Sequence, residues 1–445
     1  MKFSTWMRFL AGLMSLAFLV NAPVARAWDF NSQNCAWPLM FSPEGSGNIQ
    51  GPDGAARYWI MPFDTQYDTM TIKGAYPNVR FFSFTAYETI DYDAVHNKNK
   101  GFHLVEDHLY DAQIAPDKGS VNPFVVPGGR NGTYTVVFSR TGSTSGNTIK
   151  IASAPPVLTW IVLRMYVSGD DPSLSGQSLM GGVPLPAITL AGKAGSKPLD
   201  TCWPINRWPD ISSMGQFLFP PESDLIVDEG TPTSDRLWFA SPKNPPSILW
   251  PNPDGKYLMM WPGERYQPGR IMVIRGKAPS FPGASEHSPM RSRSRGHRDV
   301  DVRYWALCYQ NFAAPLPLIG CVTDLTARLE SGHYTIVISD DRQRPDWLRP
   351  DVNWLPYGDE QYPKFVVYRH MLPAADFHHS IQDVWNYKSN ACTFELNFPA
   401  VPKRKALDDK GPCAKVIMGD YYPDAFWCDK ATFVHGGWRA CARTH

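Results

Sequence analysis

The chain has 445 residues with 43 basic and 42 acidic side chains, a formal net charge of +1. Phosphate recognition demands a strongly basic surface, so this near-neutral balance excludes nucleic acid as the expected partner. Aromatic residues make up 13% of the chain, with 41 Pro and 34 Gly, a mixture that suits short strands joined by turns.

The N-terminus carries Lys2 and Arg8, an apolar run over 9–20 and then Ala25-Arg26-Ala27. That is the layout of a cleavable secretory signal, expected to leave a mature chain starting at Trp28. The apolar run is shorter than the roughly 20 residues a spanning helix needs, and no later segment reaches that length. Loss of Lys2, Arg8 and Arg26 leaves two more acidic than basic side chains. The expected location is therefore the periplasm or the cell exterior.

The next elements come in two copies. Pro52-Asp-Gly54 matches Pro253-Asp-Gly255, and Thr71-Ile-Lys-Gly74 matches Val273-Ile-Arg-Gly276. Val79-Arg-Phe-Phe82 matches Val302-Arg-Tyr-Trp305, and Gly132-Thr-Tyr-Thr-Val-Val-Phe-Ser139 matches Gly332-His-Tyr-Thr-Ile-Val-Ile-Ser339. Ile161-Val-Leu-Arg164 matches Val366-Val-Tyr-Arg369, with Asp171 and Asp376 seven residues beyond each Arg. Five blocks in one order indicate an internal duplication. Their β-branched and aromatic content reads as strands, and no long 3.6-residue period is present. The expected fold is all-β, two tandem β-sandwich or jelly-roll domains from that duplication. The expected divisions are a signal segment 1–27, domains at 28–200 and 201–386, and a disulfide-tied, Cys-rich extension 387–445. The Gly-, Pro- and Ser-rich stretch 174–198 reads as the connection. The extension has no counterpart in the first copy.

All eight cysteines lie after the signal segment. An even set in an exported chain reads as disulfides, and closely spaced pairs of the zinc type are absent. Cys308 and Cys321 flank one short connection and are expected to pair. Cys35 and Cys202 each precede Trp-Pro; they either open equivalent segments or bridge the halves. Cys392, Cys413, Cys428 and Cys441 crowd the C-terminus.

Val302-Arg-Tyr-Trp305, Gly332-His-Tyr-Thr-Ile-Val-Ile338, Asn353-Trp-Leu-Pro356 and Val367-Tyr-Arg-His-Met-Leu-Pro373 resemble blocks of a family of uncharacterised secreted bacterial proteins. That family is similar to two-domain jelly-roll proteins known only as domains of unknown function. The resemblance covers most of the chain after the signal segment. It implies β-sandwich domains and export, and no reaction.

Arg80, Arg303, Arg164 and Arg369 interrupt apolar strands. Strict alternation puts Arg80 on a face with Phe82 and Phe84, and Arg303 with Trp305 and Leu307. Each is either a clamp for a carboxylate or phosphate or half of an internal ion pair, with Asp171 or Asp376 as partners. Repetition favours the ion pair, because duplicated domains share scaffold needs more than sites. Arg369, His370, Asp376, His378 and His379 form a second constellation, with Met165 in the first copy at the place of His370. Histidine and carboxylate together suit general acid–base work, although adjacent His378 and His379 would point to opposite faces of a strand. His103, His108, Asp111 and Asp117 are weaker metal-ligand candidates, with neither zincin spacing nor an ordered calcium loop. The basic run 291–298 reads as a solvated loop. No motif specifies a cofactor.

The expected function is binding of a small organic ligand, a sugar, phenolic or apolar acid, with Arg303, Tyr304, Trp305, Trp354 and Arg369 as contacts. A glycan is a possible form of that ligand. Two other readings are an extracytoplasmic hydrolase or lyase using Arg369 to His379, and a structural or surface component. The enzyme reading requires His370 or His378 within hydrogen-bond reach of a carboxylate in a concave pocket.

Overall fold

The computed structural model describes residues 35–44, 48, 51–63, 66–89, 103–126, 132–141, 146–151, 159–168, 181–202, 235–243, 250–262, 267–282, 300–312, 316–360, 362–395 and 404–443. The expected signal segment, the basic run 291–298 and Asp171 lie outside them.

The fold is all-β, built from five sheets. In the first half one sheet runs β1 (Leu39–Phe41), β2 (Ala56–Phe63), β8 (Thr159–Ser168), β4 (Val79–Thr89), β5 (His103–Tyr110). The other runs β10 (Gly195–Leu199), β9 (Ala187–Gly192), β3 (Thr69–Ala75), β6 (Thr133–Ser139), β7 (Thr148–Lys150). Period-2 alternation sends Met70 and Ile72 of β3 inward and leaves Lys73 exposed. They meet Trp59, Phe84 and Phe138 in the core between the sheets.

The second half repeats this plan. Its first sheet runs β13 (Gly255–Met260), β20 (Lys364–Pro373), β15 (Val302–Asn311), β16 (Leu318–Thr323). Its second runs β11 (Arg236–Leu237), β22 (Asp424–Asp429), β14 (Arg270–Lys277), β18 (His333–Ser339), β17 (Leu329–Glu330), with β19 (Asn353–Pro356) parallel to β18. The order β2-β8-β4-β5 thus recurs as β13-β20-β15-β16. The order β9-β3-β6-β7 recurs as β22-β14-β18-β19, including the parallel last pair. A fifth, two-stranded sheet pairs β12 (Ser241–Pro242) with β21 (Thr393–Phe394).

Three expectations change. The stretch 174–198 is not simply a connection: from residue 181 onward it belongs to the first half and supplies β9 and β10. Ile188 and Leu190 alternate into the core there. Backbone bonds from Ala36 N–H to Asp200 O and from Cys202 N–H to Ala36 O, both under the Cys35–Cys202 disulfide, close this half on itself. That disulfide does not bridge the halves. The C-terminal extension does have a counterpart, since β22 takes the sheet position of β9. It arrives after helices α1 (Ile381–Asn386) and α2 (Arg404–Met418) and is followed by α3 (Lys430–Arg443). Gly411-Pro412 inside α2 and the kink at Gly437 in α3 hid these helices from a periodicity search. The other disulfides are Cys308–Cys321, as expected, Cys392–Cys413 and Cys428–Cys441. Among the described residues no helix is long and apolar enough to cross a membrane.

The repeated glycines have a packing cause. Gly74 faces Tyr134 across β3 and β6, and Gly276 faces Tyr334 across β14 and β18. A Cβ at Gly74 would lie 2.7 Å from the Tyr134 hydroxyl, and one at Gly276 would lie 2.6 Å from that of Tyr334. Each glycine makes room for a buried ring. Gly276→Ala is expected to lower stability by about 1–3 kcal/mol through overpacking. The measurement is a urea midpoint at constant slope; an unmoved midpoint would show that Tyr334 yields freely.

Candidate functional site

The two β-sandwiches meet through the sheets that hold β4 and β15. Phe81 and Tyr166 of the first half pack against Tyr304, Ala306, Cys308 and Met371 of the second. Alternation breaks in β4, because Val79 and Phe82 both enter the first core while Phe81 enters this seam. Val167, between the register partners of Val79 and Phe81, has φ +52°, and Leu372 in the second half has φ +42°. Left-handed backbone is strained for such residues and needs support. Their N–H groups supply it by donating to Ala55 O and Asp254 O, so each holds the turn that precedes β2 or β13.

The break turns the arginines away from their own cores and toward the opposite half. Arg80 pairs with Asp324, and Arg303 pairs with Asp111 at 2.6 Å. Of the expected partners, Asp376 is exposed and takes no part in these pairs, and Asp171 lies outside the described residues. Asp111 and Asp324 occupy equivalent places just after β5 and β16, so the two bridges are reciprocal. All four side chains are buried. Burial pushes Asp324 up to about 7, with the Arg80 guanidinium opposing it. Burial likewise raises Asp111, opposed by Arg303.

A third bridge joins Arg369 to Asp53, which also accepts from the Tyr304 hydroxyl and from Ala55 N–H. Its symmetry mate differs. Tyr58 opposes Arg164, and Tyr257 opposes Arg369. Asp53 N–H donates to the Tyr58 hydroxyl at 3.3 Å, and Asn252 N–H donates to that of Tyr257 at 3.4 Å. The structural counterpart of Asp53 is therefore Asn252, and Pro52-Asp53 corresponds to Pro251-Asn252. The sequence match to Pro253-Asp-Gly255 was two residues out of register.

Arg164 consequently faces an amide where Arg369 has a carboxylate. Its guanidinium donates to Thr85 Oγ1 at 2.9 Å, to Trp250 O at 2.9 Å and to the Tyr87 hydroxyl. Among the described residues no carboxylate pairs with it. Asp254, close in sequence, lies 3.3 Å from His108 Nε2 instead. Arg164 and Arg369, Tyr58 and Tyr257, and Asn252 all line one cleft, open to solvent, between the halves. Trp250, Phe41, Ile60 and Val162 add apolar wall. The chemistry offered is one buried cation without a counter-ion among the described residues, beside aromatic faces.

Of the expected contact residues, only Arg369 lines this cleft. Arg303 and Tyr304 are committed to Asp111 and Asp53. Trp305 stacks on Tyr334 in the second core, and Trp354 packs in a different cluster, donating to Ser339 Oγ. His370 is buried, its Nδ1 accepting from Ile381 N–H at 3.3 Å. Burial pushes it down to about 3, and no carboxylate among the described residues is bonded to it. His378 is exposed, while His379 stacks on Tyr421. The geometry required for acid–base chemistry is not assembled there. The weak metal set is also dispersed: His108 meets Asp254, Asp111 meets Arg303, and Asp117 O accepts from Ser120 N–H. The side chain of His103 lies outside the described residues. Asp53 does lie within 4.8 Å of Cys308 and Cys321, but their sulfurs are bonded to each other and offer no thiolate.

No family model matches the chain, and none of the curated proteins matches it. Two of the solved structures similar to it are bacterial proteins. One is an uncharacterised protein from Burkholderia cenocepacia, at 16% identity and a TM-score of 0.46, over 83% of this chain and 85% of that one. The other is the VPA0106 protein from Vibrio parahaemolyticus, at 12% identity and a TM-score of 0.35, over 73% and 86%.

Sequence reading weighed Arg164 as a clamp without carrying it into the contact residues, and it missed Tyr58, Tyr257, Trp250 and Asn252. The available signal was the contrast between Gly51-Pro-Asp53 and Trp250-Pro-Asn252, visible once those turns are set in register.

Removing one partner of a buried pair leaves an unmatched charge. Asp111→Ala is expected to cost about 3–5 kcal/mol in chemical denaturation, and a loss below about 1 kcal/mol would mean that water reaches Arg303. His370 is neutral when folded and takes up a proton on unfolding below its ordinary value near 6.5. Its contribution is full above that pH and is lost as pH falls toward 3. His370→Met, which installs the residue of the first copy, is expected to flatten the decline in stability over that window. An unchanged pH profile would contradict this origin.

Proposed function

We propose that the protein is an exported binding protein that holds a small organic anion in the cleft between its two halves. The observation that carries this reading is Arg164, a buried guanidinium with no carboxylate partner among the described residues, where its duplicate has Asp53. An isolated buried charge costs several kcal/mol, so such a group is retained where a ligand supplies the opposite charge. Trp250, Tyr58 and Tyr257 offer rings for the apolar body of a phenolic or apolar acid. Four disulfides with no free cysteine among the described residues suit an oxidising compartment. The family resemblance of the strand blocks supports export as well.

The test is isothermal titration of the mature protein with benzoate, 4-hydroxybenzoate, hexanoate, glucuronate and phenyl phosphate. At least one is expected to bind, and Arg164→Gln is expected to weaken it about 10- to 100-fold, the worth of one hydrogen bond to a charged group. Binding that ignores Arg164, or no binding by any of the five, would overturn the reading.

A further inference from the structure

Asn252 differs from its counterpart in more than charge. It is 3% exposed. Its Oδ1 accepts from Asp254 N–H at 3.1 Å, which identifies the other terminus as the amide nitrogen. That nitrogen is buried and has no hydrogen-bond partner among the described residues. A buried donor left unpaired is costly. It sits on the turn whose Trp250 carbonyl accepts from Arg164, and both side chains line the cleft. The corresponding carboxylate of Asp53 is fully engaged by Arg369, Tyr304 and Ala55 N–H. The two turns therefore do opposite things: one seals its arginine, the other leaves an arginine and an N–H donor side by side.

We infer that Asn252 is the selectivity determinant of the cleft, which takes a singly charged carboxylate with a flat apolar body. One carboxylate oxygen meets Arg164 and the other meets Asn252 Nδ2. The inference rests on the binding reading above and adds the ligand class. The charge count follows from the two arginines that line the cleft. Arg369 is neutralised by Asp53, so Arg164 alone remains to be matched. A dianion such as a phosphate monoester would carry one charge into a buried site with no second free cation, a costly transfer. An aspartate at 252 would reproduce the Arg369–Asp53 bridge and close the site to anions.

The experiment is titration of benzoate and phenyl phosphate into the full mature protein and into Asn252→Asp and Asn252→Ala, with a thermal melt of each. The wild type is expected to favour benzoate by at least tenfold. Asn252→Asp is expected to lose at least tenfold in benzoate affinity and to melt above the wild type, because Arg164 gains a counter-ion. Asn252→Ala is expected to weaken benzoate about tenfold while keeping the preference for a single charge. Benzoate binding unchanged in Asn252→Asp, a melt below that of the wild type, or a preference for phenyl phosphate would overturn the inference while leaving Arg164-dependent binding intact. Absence of Arg164-dependent binding by any of the five anions removes both.

Discussion

Arg80, Arg164, Arg303 and Arg369 sit in apolar strands of this protein, and an arginine in such a place needs a partner. Three find a carboxylate, and in each case it comes from the other half. That requirement locks the two sandwiches into one arrangement. Apolar contact alone is tolerant of sliding, whereas a guanidinium has to meet its carboxylate at hydrogen-bond distance. The reciprocal pairs Arg80–Asp324 and Arg303–Asp111 therefore set the register of the seam, and the cleft is a consequence of that register.

Duplication explains why the site can exist at all. A pair of identical turns would give two sealed arginines, as at Arg369 and Asp53. Divergence of one turn to Asn252 leaves the seam held by three bridges and frees the fourth position for a different use. The strained residues Val167 and Leu372 serve both copies, each fastening the turn that precedes its own first long strand. Scaffold needs were kept in both halves, and the site arose where the copies differ.

The C-terminal extension shows the same economy of topology. Sheet completion in the first half uses β9, which follows β8 closely. In the second half the strand that fills that place is β22, reached through two helices and clasped by Cys428–Cys441. The sheet edge beside β14 is an open row of backbone groups until some strand pairs with it. Which segment arrives is a matter of chain routing, and local residue patterns do not encode it.

The residues by themselves established the class of fold. Strand-forming blocks, five of them repeated in order, dictate a duplicated all-β chain, because β-branched and aromatic runs between turn residues have few other solutions. The short loop between Cys308 and Cys321 likewise determined their pairing. The partners of the arginines were decided only by the tertiary structure, since Arg80 and Asp324 are 244 residues apart and nothing local links them. The same holds for the match of Asp53 with Asn252. Sequence similarity favoured Asp254, and hydrogen-bond register, which sequence does not display, moved the match by two residues and left Arg164 facing the Asn252 amide where Arg369 has a carboxylate.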